Sequence, residues 1–184
     1  MTAMFSEGHM PLDAGRRLTP GDAAPTVAVS ALETVIGRIG LHWQATAEDA
    51  GLVRVVLAAD DLDAPPAPAW LAAPFMAYFA DALQPIGLPT RLPGTAFQRR
   101  VWRAIAAIAP GRTRTYGELA ADLGSAARAV GGACRANPCP LVVPCHRVVA
   151  RQGLGGFAGD RGGRLLAIKR ALLAHEGTTG RRPS

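Results

Sequence analysis

The sequence predicts an α+β protein: a small N-terminal sheet-plus-helix domain followed by a mainly helical C-terminal domain with a helix-turn-helix. Apolar residues recur at period two around residues 35–43 and at helical spacing from Phe97 onward. Two Thr-x-x-Gln/Glu pairs mark helix starts in the second half. Charge is divided between the halves. Residues 1–90 carry four Arg against ten Asp or Glu, and residues 91–184 carry sixteen Arg or Lys against four acids.

Residues 1–30 mix Pro, Gly, Asp and Ala without periodicity and read as a flexible arm. From Thr34, "TVIGRIGLHWQ" sets Val35, Ile39, Leu41 and Trp43 on one face, and "GLVRVVL" follows, which predicts a strand pair. Leu71, Phe75, Phe79 and Leu83 then share a helix face that Pro74 must enter in a first turn or kink. This N-terminal domain is expected to span 31–90, ending in the linker "LQPIGLP".

The C-terminal domain, 91–178, opens with a capping box at Thr95 and Gln98 and an apolar face of Phe97, Val101, Ile105 and Ile108. Thr115 and Glu118 form a second capping box. That helix ends at Gly124, and another, roughly 126–134, starts two residues later. Two short helices about a tight glycine turn in a basic region describe a helix-turn-helix, with an ordinary αα corner as the alternative. "PLVVP" reads as a buried extended segment, 153–163 as a Gly-rich loop, and "RLLAIKRALLAHEG" as a helix closed by Gly177. Residues 179–184 are expected to form a flexible tail.

No uninterrupted apolar run approaches membrane-spanning length and the first residues lack a signal peptide's apolar core, so a cytoplasmic protein without a membrane partner is expected. Three cysteines do not make a disulfide scaffold, so a core residue or a reactive thiol is the expectation for each. The basic half points to a polyanion, DNA or RNA, although compositional bias toward arginine also contributes, Lys169 being the one lysine.

The chemistry centres on "NPCPLVVPCHRVVARQG", residues 137–153, where Cys145 stands between Pro144 and His146. A thiol becomes a strong nucleophile when a base or positive charge favours its thiolate. Adjacent side chains diverge on a strand or helix, so a Cys145–His146 dyad requires a turn at Pro144 and a carboxylate such as Glu176 to orient the imidazole. A buried structural thiol is the alternative. Zinc is disfavoured because Cys134, Cys139, Cys145 and His146 lack paired short spacings.

The run Pro144, Cys145, His146, Arg147, Val148 resembles the signature of the O6-alkylguanine-DNA alkyltransferases, the methylated-DNA–protein-cysteine methyltransferases. "GTAFQRRVW", "PGRTRTYGELAADLG", "ARAVGGACRANP" and "LLAHEG" match in order over about 93–177. The resemblance implies a monomer that binds the minor groove of duplex DNA and flips O6-alkylguanine into a pocket. The alkyl group would pass irreversibly to Cys145, with O4-alkylthymine a second candidate substrate. Catalytic roles would fall to Cys145, His146, Glu176, Tyr116 and Asn137. DNA contacts would fall to Arg128, the finger that enters the stack, and to Thr95, Ala127, Ala129, Gly131, Arg135 and Arg147. Pro144, Val148, Phe157, Ala158, Gly159 and Lys169 would form the base pocket.

Two departures stand out. Phe157 occupies a position where tyrosine is frequent, and the stretch from there to Lys169 exceeds the family's usual spacing. The N-terminal half has no cysteine for a thiolate zinc site, so neither metal nor cofactor is expected. The alternative reading is a helix-turn-helix DNA-binding or lesion-recognition protein that performs no chemistry.

Overall fold

The computed structural model describes residues 26–45, 50–160 and 162–177; most of the expected arm and the tail lie outside the described residues. Three antiparallel strands, β1 (Val27–Leu32), β2 (Ile39–Ala45) and β3 (Ala50–Val56), lie in sequence order with β2 in the centre. The reading of 1–30 as an arm is therefore corrected at its end, where Val27–Ser30 belong to β1. "VAVSAL" shows no clean in-out alternation in its burial, so periodicity did not mark it. Val35, expected beside Ile39, instead projects from the β1–β2 turn at 79% exposure. That turn is closed by the Gly37 N–H on the Thr34 carbonyl at 3.0 Å.

Helix α1 (Ala69–Ala80) packs Leu71, Phe75 and Tyr78 inward, and carries Pro74 in its interior. The expected stripe is corrected at its far end: the helix stops before Leu83, which is 74% exposed, and Tyr78 takes the inward place next to half-buried Phe79. Trp70 and Trp43 of β2 meet in a T-shaped pair at 5.4 Å between ring centres, tying helix to sheet.

In the second half, α2 (Ala96–Ala106) and α3 (Tyr116–Asp122) both begin in complete capping boxes, at Thr95/Gln98 and Thr115/Glu118. Each box satisfies two backbone donors that a helix start otherwise leaves open. Trp102 of α2 donates its indole N–H to the Ala133 carbonyl at 2.8 Å, which docks α2 against α4 (Ala127–Arg135). Gly124, at φ 59°, provides the left-handed step between α3 and α4. Just before α3, the two-residue strand β4 (Arg114–Thr115) runs parallel to β5 (Val148–Val149). This pairing brings the start of α3 beside the segment that follows Cys145.

"PLVVP" is not extended, contrary to expectation. It is a succession of turns in which Leu141 adopts φ 76° and Val143 N–H bonds the Cys139 carbonyl at 2.9 Å. Helix α5 (Arg164–His175) closes the fold, with Glu176 as its C-cap and Gly177 at φ 72° beyond it. One apolar cluster runs from Leu41 and Phe75 through Val101 and Val130 to Leu172. Among the described residues no helix is long and apolar enough to cross a membrane.

Candidate active site

Cys145 begins a single 3-10 turn, Cys145–Arg147. Pro144, at φ −77° and ψ 63°, is the centre of an inverse γ-turn closed by Cys145 N–H on the Val143 carbonyl at 2.7 Å. This is the turn that the Cys-His adjacency demanded. Cys145 faces a pocket, while His146 turns into the core and places Nε2 2.8 Å from Glu176 Oε1.

Glu176 is the hub of a buried ionic cluster. Burial opposes its ionisation, but the bonds from His146 and Arg147 outweigh that cost and hold its carboxyl at about 2. An ionised carboxylate only accepts, so His146 Nε2 carries the proton and Nδ1 presents a lone pair. Nδ1 is buried without a hydrogen-bond partner. Burial lowers the His146 pKa more than Glu176 raises it, so the resting imidazole is neutral.

Cys145 is pushed the other way. Burial raises its pKa, opposed by an Asn137 amide donating to Sγ at 3.2 Å and by the charge of Lys169. The resting nucleophile is thus a thiol that needs a base. Asn137 also spans the preceding turn, donating to the Val143 carbonyl at 2.9 Å and accepting from Cys139 N–H at 3.1 Å. The bend and the sulfur share one amide.

The pocket, about 540 Å³, lies between α4 and the loop 156–160. Of the expected residues, Cys145, Tyr116, Ala127, Arg128, Gly131, Arg135, Phe157, Ala158 and Gly159 line it. The Tyr116 hydroxyl donates to the Gly156 carbonyl at 3.3 Å, and burial pushes its pKa up to about 12, so it remains a proton-bearing donor. Arg128 and Arg135 are exposed on α4.

Other expectations are corrected. Arg147, expected on DNA, is buried: its guanidinium grips Glu176 through Nε and Nη2 and reaches the Ile108 carbonyl at 2.5 Å. An unpaired carboxylate there would be costly, and the planar fork supplies its match. Lys169 does not line the pocket. Its ammonium is fully buried behind the wall and donates to the carbonyls of Val148, Leu154 and Gly156 at 2.6, 2.6 and 3.0 Å. Desolvation lowers its pKa to about 8. Pro144 and Val148, expected in the pocket wall, are buried outside the lining.

Five site residues were missed, Gly132 and Gly156 of the pocket lining among them. Cys134 and Asp160 line the pocket, and Tyr78 donates to Glu176 Oε1 at 2.8 Å. For Tyr78 the signal was the spacing 71, 75, 78 on the inner helix face, which predicts burial but not its partner. Asp160 accepts from the N–H groups of Gly162, Gly163 and Leu165. These bonds tie Asp160 to the start of α5.

Residues 96–178 match the family model "6-O-methylguanine DNA methyltransferase, DNA binding domain". The chain is 52% identical over 104 residues to a methylated-DNA–protein-cysteine methyltransferase of Salmonella typhimurium, covering 54% of this chain and 58% of that protein. It therefore spans less than two thirds of that relative's length. Among solved structures, the Mycobacterium tuberculosis O6-methylguanine methyltransferase superposes with a TM-score of 0.66 at 32% identity, over 86% of this chain and 97% of that one. The OGT of the same organism in complex with DNA gives 0.65 at 33% identity, over 83% and 94%.

Proposed function

The chain belongs to the 6-O-methylguanine DNA methyltransferase family, and from that premise we propose that it repairs duplex DNA by moving the alkyl group of O6-alkylguanine onto Cys145. The observation that carries this reading is the placement of Cys145 between an open pocket and a buried His146–Glu176 pair at 2.8 Å. A guanine stacked in a duplex cannot present its O6 substituent to a sulfur at the bottom of a pocket, so the base must be rotated out. Arg128, exposed on α4 at the pocket rim, is suited to fill the space the base leaves.

The transfer is one displacement. The Sγ–C bond forms as the C–O6 bond breaks, and the thiol proton passes to His146 Nδ1 through a bridging water. Guanine regains one proton overall, and the Tyr116 hydroxyl at the pocket wall stabilises the departing oxygen by donating to it. Asn137 and Lys169 favour the thiolate as it develops, the first by its amide on Sγ and the second by its charge. A thioether has no good leaving group, so each molecule acts once, as a monomer, with no metal or cofactor required by this chemistry.

The test is stoichiometric. Incubated with excess duplex carrying a single O6-methylguanine, the protein should remove one methyl group per chain and then stop. Repeated turnover, or binding without loss of the lesion, would overturn the reading.

A further inference from the structure

The proposed transfer leaves Tyr78 unused. It lies on α1, 98 positions before Glu176 in the chain, and is buried to 2% exposure. Its hydroxyl donates to Glu176 Oε1 at 2.8 Å, the same oxygen that meets His146 Nε2 and Arg147 Nη2, each also at 2.8 Å. The end of α5 grips it a second time. His175 bonds the Tyr78 backbone carbonyl through Nε2 at 2.8 Å, and its ring meets the Tyr78 ring edge-on at 5.3 Å.

We propose that Tyr78 is a positioning residue for the nucleophile: by donating to Glu176 Oε1 it limits how strongly that oxygen draws on His146, and so keeps the imidazole available as the base for Cys145. This rests on the reading of Cys145 as the alkyl acceptor. The physical basis is competition. A carboxylate oxygen shared among several donors is a weaker partner for each, and in a desolvated site such sharing is felt strongly. Arg147 and Tyr78 both share with His146, but Tyr78 does so as a neutral group. Burial and the neighbouring carboxylate push its pKa well up, so it stays a donor at any working pH.

The groups facing this pair come from every side. Tyr78 approaches from α1, and Gly111 N–H from the loop after α2, 3.4 Å from Glu176 Oε2. Arg147 comes from the 3-10 turn, and from α5 come His175, on the far side of Tyr78, and Lys169, whose charge disfavours the imidazolium. The Phe157 ring meets His146 from the pocket loop at 6.5 Å. A Tyr78→Phe substitution changes one of these and leaves the others.

Without the phenol, more of the Oε1 charge falls on His146 and its imidazolium is stabilised. A base that must be neutral to accept a proton then fails at higher pH, so the acid limb of the transfer rate moves upward. The expected displacement is about half a pH unit, read as transfer about threefold slower than wild type at any pH well below the wild-type midpoint, with the two rates equal on the plateau. Transfer from the O6-methylguanine duplex and alkylation of Cys145 by iodoacetamide, followed by fragment ions that separate Cys145 from Cys139 on their shared peptide, should shift together. The second readout needs no DNA, so a failed repair reading and a failed Tyr78 role give different results. A Phe75→Leu variant, which loosens the same face of α1 without touching Glu176, should melt at a lower temperature with its limb unmoved. Tyr78→Phe profiles that overlay the wild type after uniform scaling would overturn the proposal, as would an equal shift in Phe75→Leu.

Discussion

Cys145 divides two regions that use the same residue types to different ends. In front of it, α4 offers Arg128 and Arg135 to solvent along an open pocket. Behind it, Arg147, Lys169, His146 and Glu176 are buried and bonded to one another or to backbone carbonyls. The difference teaches that an arginine's task here is set by burial. Arg147, two positions from the sulfur, supports the fold, and Arg128, seventeen positions away, faces the opening.

The largest effect should come from the sulfur itself. Cys145→Ser should abolish alkyl transfer while leaving lesion binding in place, checked by lesion assay and gel shift on the same duplex. Retained transfer would remove Cys145 from the front region's chemistry.

Next is the back region. Arg147→Ala strands a buried carboxylate and should destabilise the fold by about 3–5 kcal/mol in urea melts. A cost within about 0.5 kcal/mol, the range of ordinary surface substitutions, would mean that Arg147 does not serve as a strut.

The same cluster sets an acid sensitivity. Glu176 titrates at about 2, against an ordinary value of 4.5, so its ionisation stabilises the fold above about pH 4.5 and that contribution fades as pH falls toward 2. The stability gap between wild type and Glu176→Gln should therefore narrow across this window when melts are recorded from pH 7 downward. A gap that stayed constant would place the carboxylate's pKa at its ordinary value.

The smallest effect on stability should be that of Arg128→Ala, within about 0.5 kcal/mol. Its cost should appear in DNA binding and transfer instead. If the residue also neutralises a phosphate, the slope of log affinity against log salt should shrink by about one.

The C-terminal half was legible where its signals are local. Thr95/Gln98 and Thr115/Glu118 announced two helix starts that the structure completes bond for bond. Gly124 and Gly177 marked two stops, and the need for a bend at Pro144 followed from the geometry of adjacent side chains. What escaped was non-local. Nothing in "MAYFA" indicates that its tyrosine reaches a carboxylate near the chain's far end, and nothing in "PCHRV" shows its arginine turned inward. The strand at Val27–Leu32 escaped because it gains its order from pairing with β2 rather than from its own pattern.

The central claim is that Cys145 receives the alkyl group, and it is tested most directly by peptide mass spectrometry after incubation with a duplex containing one O6-methylguanine. One added methyl, placed on Cys145 by fragmenting the peptide that also carries Cys139, saturating at one per chain and absent from Cys134 and Cys139, is the predicted result. An unmodified Cys145 alongside tight lesion binding would contradict it and leave a protein that recognises the damage without removing it.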